Sequence, residues 1–215
     1  MTQIQPEKQT RSYLPIKAII VMGVLISAIA LMSYGFDENK SLVPEEKSVA
    51  VAKDSIASVR AFEDVYKVLM SPRCMNCHPA GDIPLQGDDS HLHTMFPKRG
   101  KDGKGLYAMK CSNCHQPANA PGVHAPPGNP EWHLPPSNMK MVFQGKTPRE
   151  LALQLVDLKR NGNKNKQQLL DHAKDGLVIA GWNMGEGRKP PPISYEEFVK
   201  VWNTWIETGA YAPKR

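Results

Sequence analysis

Apolar positions fall into patterned stretches along the chain, and each stretch predicts an element. Ala18–Phe36 (AIIVMGVLISAIALMSYGF) runs 19 residues without a charge, about the length a helix needs to cross a bilayer core. From Ser55 to Met70 (SIASVRAFEDVYKVLM), Ile56, Val59, Phe62, Val65, Tyr66 and Leu69 recur at the spacing of one helix face, with Pro72 just beyond. In TPRELALQLVDLKRNG, Thr147 is a cap, Pro148 the first helical residue and Glu150 the return partner of a capping box; Asn161 and Gly162 end the run. A short helix is expected over 166–174. A last helix starts at cap Ser194 with Glu197 reaching back and stops at Gly209. Phe198, Val201, Trp202, Trp205 and Ile206 form its apolar stripe. No stretch carries a strand pattern. The fold class expected is mainly α with long loops, since 19 prolines and 16 glycines interrupt the rest.

The charges around the first stretch set its orientation. Lys8, Arg11 and Lys17 precede it against the single acid Glu7. The positive-inside rule then puts residues 1–17 in the cytoplasm, 18–36 across the bacterial inner membrane as a single-pass anchor, and the remainder in the periplasm. The competing reading is a signal peptide, because Ala28-Ile29-Ala30 resembles a cleavage site. Residues 37–57 are charged and poor in large apolar groups, which reads as a linker. Residues 58–215 make up one domain's worth of chain. Only 40% of the whole chain is apolar, membrane stretch included, so the domain's core is thin and a large bound apolar group would help to fill it.

That composition gives weight to a repeated motif. RCMNCHP (Arg73–Pro79) returns as KCSNCHQ (Lys110–Gln116), and the two hold all four cysteines of the chain. A CxxC pair can be half of a zinc site, a redox dithiol or the attachment point of a c-type haem. In the haem case Cys74 and Cys77, like Cys111 and Cys114, form thioethers to the porphyrin, and the next residue, His78 or His115, is the axial iron ligand. Histidine occupies 7 of 215 positions, so both following positions would be histidine by chance roughly once in a thousand. A zinc site built from all four cysteines leaves both histidines without a role. An exported chain also keeps disulfides in play, although two tight CxxC pairs make an unusual disulfide framework. Two covalent haem c groups are the cofactors expected.

Each iron then needs a sixth ligand. The candidates are His91, His93, His124, His133 and His172, with Met95, Met109, Met139, Met141 and Met184. Methionine opposite histidine raises the potential relative to two imidazoles. His93 is favoured because it lies between the two motifs in SHLHTMFPKRG, with His91 its near rival. His133 is favoured because Trp132 and the following prolines give it a stiff, apolar setting. Met139, His172 and Met184, the last in GWNMGEGRKPPP, are the alternatives. In that same stretch Trp182 is expected to pack against a porphyrin edge, and Arg188 either meets a haem propionate or faces water.

The stretches CMNCHPAGDIPLQGDD, RGKDGKGLYAMKCSNCHQPAN, PEWHLPP and LVIAGWNMGEGRKPPP together make the chain resemble a dihaem c-type cytochrome. The resemblance covers roughly residues 58–212. More specifically, the chain is similar to the cytochromes accompanying periplasmic molybdenum hydroxylases, the isoquinoline 1-oxidoreductase subunits. That resemblance implies electron transfer beside a dehydrogenase, with a periplasmic oxidoreductase as donor and the respiratory chain as acceptor. A helix ahead of the first motif and an aromatic C-terminal helix resemble the crossing pair of small class I cytochromes c.

Function therefore reads first as a membrane-tethered electron carrier with no substrate of its own. The alternative is a dihaem enzyme such as a peroxidase with one open haem site, which the surplus of potential ligands disfavours. With the three basic and two acidic residues of 1–37 set aside, 24 basic and 19 acidic side chains remain, a net +5. The run Lys98–Gly105 (KRGKDGKG) reads as a solvated basic loop; steering of an acidic redox partner is its functional alternative. Nucleic acid is not an expected partner.

Overall fold

The computed structural model describes residues 45–214. Segment 18–36, expected to span the membrane, lies outside them, and among the described residues no helix is long and apolar enough to cross a bilayer. The described chain is mainly helical with little sheet. In order it forms α1 (Glu45–Leu69), α2 (Pro72–Met75), β1 (Leu85–Gln86), β2 (His91–Leu92), β3 (Gly105–Leu106), β4 (Met109–Lys110), a 3-10 turn (Cys111–Asn113), α3 (Pro148–Val156), α4 (Lys166–His172), α5 (Gly176–Ala180) and α6 (Tyr195–Glu207). The four strands were not foreseen. They are two-residue antiparallel ladders, β1 on β2 and β3 on β4, too short to show any alternation.

Helix α1 begins ten residues before the start expected at Ser55, so 45–57, expected to be linker, is helical. Its buried face also differs from the predicted stripe. Phe62, Val65 and Leu69 are buried as expected, but Ile56 is 54% exposed and Ser58, Ala61 and Val68 take the inner positions. Ser58 explains the rotation. Its hydroxyl donates to Trp205 O (3.0 Å) and accepts the Tyr211 N–H (2.9 Å), so a small polar side chain sits where α1 meets α6. One turn on, the Phe62 and Trp205 rings lie 4.7 Å apart.

Capping fixes the other helices. Thr147 and Glu150, and Ser194 and Glu197, form the reciprocal boxes expected, and Asn165 with Gln168 adds a third. Helix α6 buries Phe198, Trp202, Trp205 and Ile206. Trp202 Nε1–H donates to Leu169 O (2.8 Å), and Tyr195 OH to Ala173 O (3.1 Å), tying α6 to α4. Leu151, Ala152 and Leu155 of α3 and Phe143 complete the core with α1, α4 and α6. Trp182 packs on Tyr195 and Phe198 and donates to Ile193 O (2.8 Å), so its ring closes the helical core at the place where a porphyrin contact was expected.

Residues 76–146 are largely loop, and polar side chains hold them. Arg99 is the main tie: it is 0% exposed, with Nη1 donating to Pro135 O (2.6 Å) and Nη2 to Gly81 O (3.2 Å). Asp82 stands 3.7 Å from its Nε. The basic run 98–105 is therefore solvated at Lys98, Lys101 and Lys104 but buried at Arg99, Gly103 and Gly105. Gly103 is required there, because its φ is +79° and a Cβ would come within 1.8 Å of Leu134 O.

Candidate haem sites

The first motif leaves α1 through Ser71 and enters α2, which carries Cys74. The turn continues with Cys77 N–H on Cys74 O and His78 N–H on Met75 O. The His78 ring is then fixed twice. Nδ1 lies 2.7 Å from Met141 O, and Phe143 stacks parallel to the ring at 3.9 Å and 8°. The Phe143 N–H in turn donates to His78 O (2.9 Å), locking the 141–144 strap to the motif.

The second motif repeats this construction from different parts. His115 Nδ1 lies 2.8 Å from Pro127 O, and Trp132 stacks on the ring at 4.2 Å and 7°. The Pro127 loop is pinned by Gly128 N–H on Asn119 Oδ1 (2.9 Å) and Asn129 N–H on Gln116 O (3.0 Å). Gly128 permits the close approach, since a Cβ there would stand 2.0 Å from Ala118 O.

A backbone carbonyl only accepts, so both Nδ1 atoms carry the proton and both Nε2 atoms are left with a free lone pair. This is how a ligating histidine is oriented and its tautomer set. Burial also holds both rings neutral: it pushes His78 down to about 4, opposed by the Met141 bond, and it lowers His115. Neutral imidazole is the form that binds metal.

The four thiols are free. Burial pushes Cys74 up to about 12 and Cys77 up to about 11, and it raises Cys111 as well. A redox dithiol needs the reverse, a thiol whose pKa is depressed. Among the described residues no three His, Cys, Asp or Glu side chains are placed to hold a metal ion, so the cysteines do not gather into a four-thiolate zinc set. Free thiols beside a histidine with an available Nε2 are the donor set that covalent haem attachment uses. The residues fit that group at both motifs.

A cavity of about 360 Å³, within the range of ligand pockets, opens beside the second motif; Cys77 of the first motif borders it, but Cys74 and His78 do not. Cys77 of the first motif and Cys111, Cys114 and His115 of the second line it. Cys111 is near enough to Cys77 for its charge to raise Cys77 further.

The distal candidates separate by position. His93, His124, His133 and Met184 line the cavity, as do Met95 and Met109. The His93 ring centre lies 6.3 Å from that of His115. Two imidazoles on one metal, with bonds of about 2 Å each, have centres about 6 Å apart. Its Nδ1 faces the Met95 N–H at 3.3 Å, a long contact that ligation through Nε2 would have to reverse. His133 Nδ1–H donates to Glu131 O (2.5 Å), freeing its Nε2. His91 does not line the cavity; it is exposed and paired with Asp89 (2.6 Å). His172 does not line it either, but its charge reaches His78, and Asp175 holds its Nδ1 at 2.5 Å. Met139 packs near Gly162 and does not line the cavity. The carbonyls of Met141 and Pro127 and the rings of Phe143 and Trp132 were missed in the sequence. The carbonyls carry no side-chain signal, and the rings are 65 and 17 residues from their histidines.

No family model, curated protein or solved structure matches this chain.

Proposed function

We propose that this protein is a membrane-tethered periplasmic electron carrier with two covalent haem c groups, one on Cys74 and Cys77 with His78 and one on Cys111 and Cys114 with His115. The observation that carries the reading is the shared restraint at the two histidines: carbonyl on Nδ1, flat aromatic ring on one face, free Nε2. Haem iron supplies the one-electron step when bound. The chain's own residues do the rest. His78 and His115 offer a fixed lone pair, Phe143 and Trp132 prevent ring rotation, and Cys77 of the first motif borders the cavity that the second motif lines.

His93 is the distal ligand we assign to the His115 iron, on the 6.3 Å separation. His133, which lines the cavity beside the second motif, and His172, whose charge reaches His78, are the two candidates we carry for the His78 iron. Electrons would enter from a periplasmic oxidoreductase and leave toward the respiratory chain. A six-coordinate iron keeps its ligands in both oxidation states and needs no substrate site, which favours carrier over enzyme.

The spectrum of the reduced protein with and without carbon monoxide tests the assignment. A carrier with two six-coordinate irons is barely disturbed. A carbon monoxide complex at one haem would transfer the reading to the dihaem enzyme, a peroxidase among the possibilities.

A further inference from the structure

Apolar side chains gathered at a surface mark a face that something covers. A groove of about 260 Å³ runs between the end of α3, the start of α4 and the end of α6. Its floor is Leu169 and Ile206, both buried members of the core. Its wall is Val156, the last residue of α3, and Leu158 just beyond, 38% and 49% exposed. Leu153, 40% exposed, stands one turn before Val156 on the same face of α3 and continues the apolar surface.

The rim is basic. Lys164 and Lys166 line the groove, and the loop 158–166 (LKRNGNKNK) holds four basic residues and no acid. Arg160 is paired with Asp157 (2.7 Å), and Glu207, next to Ile206, supplies one opposing charge. Buried Asn161 fixes the loop: its amide donates to Leu155 O (2.8 Å) and Lys164 O (2.9 Å), and its oxygen accepts the Lys164 N–H (2.8 Å). The basic rim is therefore held against the apolar wall.

The groove also lies where the chain enters the domain. Gly209 and Ala210 complete its lining, and Ser58 of α1 bonds on either side of them, to Trp205 O (3.0 Å) and the Tyr211 N–H (2.9 Å). The segment expected to span the membrane ends at Phe36. Residues 36 to 45 at full extension and 45 to 58 at helical rise span at most about 50 Å. A tether of that length keeps this end of the domain at high local concentration beside lipid.

We infer that the groove is a bilayer-docking surface, with Val156 and Leu158 entering the acyl boundary and Lys159, Lys164 and Lys166 meeting anionic phospholipid headgroups. The inference rests on the membrane-tether reading and deepens it by giving the domain an orientation. Lysine suits such a rim, since its stem lies on apolar surface while its ammonium reaches phosphate. The groove shares no lining residue with the cavity beside the second motif, so docking leaves that cavity's lining to the haem.

The test is amine acylation of the full-length holoprotein in two kinds of vesicle, phosphatidylcholine alone and equimolar phosphatidylcholine and phosphatidylglycerol. Peptide mass reads each lysine. Lys159, Lys164 and Lys166 should react more slowly in the anionic vesicles and recover in high salt, while Lys101 and Lys104 keep one rate in both. Lys166→Gln should lower the docked-to-undocked ratio about fivefold. Leu158→Ser, at an exposed side chain, should lower it too, with both haem spectra unchanged. Equal rates at the three lysines in the two vesicles would overturn the inference, as would slowing shared equally by Lys101 and Lys104. Slowing seen in native membranes but not in vesicles would overturn it in favour of a protein partner. N-terminal sequencing tests the tether separately. A mature chain starting after Ala30 would overturn the tether, and slowing of the same three lysines by added anionic vesicles would still uphold the docking surface.

Discussion

The two histidine sites reach the same geometry by different construction. His78 takes its carbonyl from Met141, 63 residues away, and its stacking ring from Phe143, which belongs to the main hydrophobic core together with Leu151 and Trp202. His115 takes its carbonyl from Pro127, 12 residues away, and its ring from Trp132, outside that core. The first site is thus a product of the whole helical fold, while the second is assembled by a short loop pinned at Asn119 and Gly128. Equivalent restraint of two histidines need not mean equivalent dependence on the fold.

The largest separation between the sites should come from their stacking rings. Phe143→Ala empties core volume and should cost about 3–5 kcal/mol in unfolding free energy, with weakened retention of the first haem. Trp132→Ala should cost less globally and affect the second haem alone. Denaturant unfolding, followed with the two haem signals, measures both. Equal global losses would contradict the difference in construction.

Acid should act next in size, on the haem-free chain. His78 is held down to about 4 in the fold, below its ordinary 6.5. A group depressed in this way contributes stability that is present above pH 6.5 and is lost as pH falls toward 4, because the unfolded chain takes up the proton first. The loss at this one site is at most about 3 kcal/mol. His78→Gln should flatten that part of the pH dependence, as urea midpoints across about pH 4–7 would show.

Ligand substitutions should leave the fold nearly unchanged and separate the irons instead. His93→Ala should produce one high-spin, carbon monoxide-reactive haem, the one bonded to Cys111 and Cys114. Comparing His133→Ala with His172→Ala then identifies the sixth ligand of the first iron by electron paramagnetic resonance. A fully low-spin His93→Ala protein would remove His93 from the ligand set. The smallest effect is expected far from both sites: Ser194→Ala should cost about 1 kcal/mol through the lost cap of α6 and leave both haem spectra alone.

The starts of α3 and α6 were legible in the sequence because their signals are local, but α3 ends at Val156 rather than at the expected Asn161 and Gly162. Thr147 with Glu150 and Ser194 with Glu197 announce starts by side-chain chemistry alone. The early start of α1 was hidden because EEKSVAVAKD combines the charge of a linker with residues that a helix tolerates. Ile56 misled for a related reason: periodicity identifies apolar spacing, but the helix turned its Ser58 face inward to meet Trp205 O and Tyr211 N–H, partners 147 and 153 residues away. Arg99 was hidden among lysines although its guanidinium ties three loop segments from within. At the candidate sites, the two CxxCH motifs were legible from spacing. The restraints on them were not, because a carbonyl acceptor can belong to any residue.

Intact mass of the purified protein tests the central claim most directly. Covalent haem at both motifs predicts a mass above the mature polypeptide by two haems, with colour retained through acid–acetone extraction. Cys74→Ala or Cys111→Ala should each leave one haem poorly held. A polypeptide mass without haem, or zinc in its place, would contradict the account.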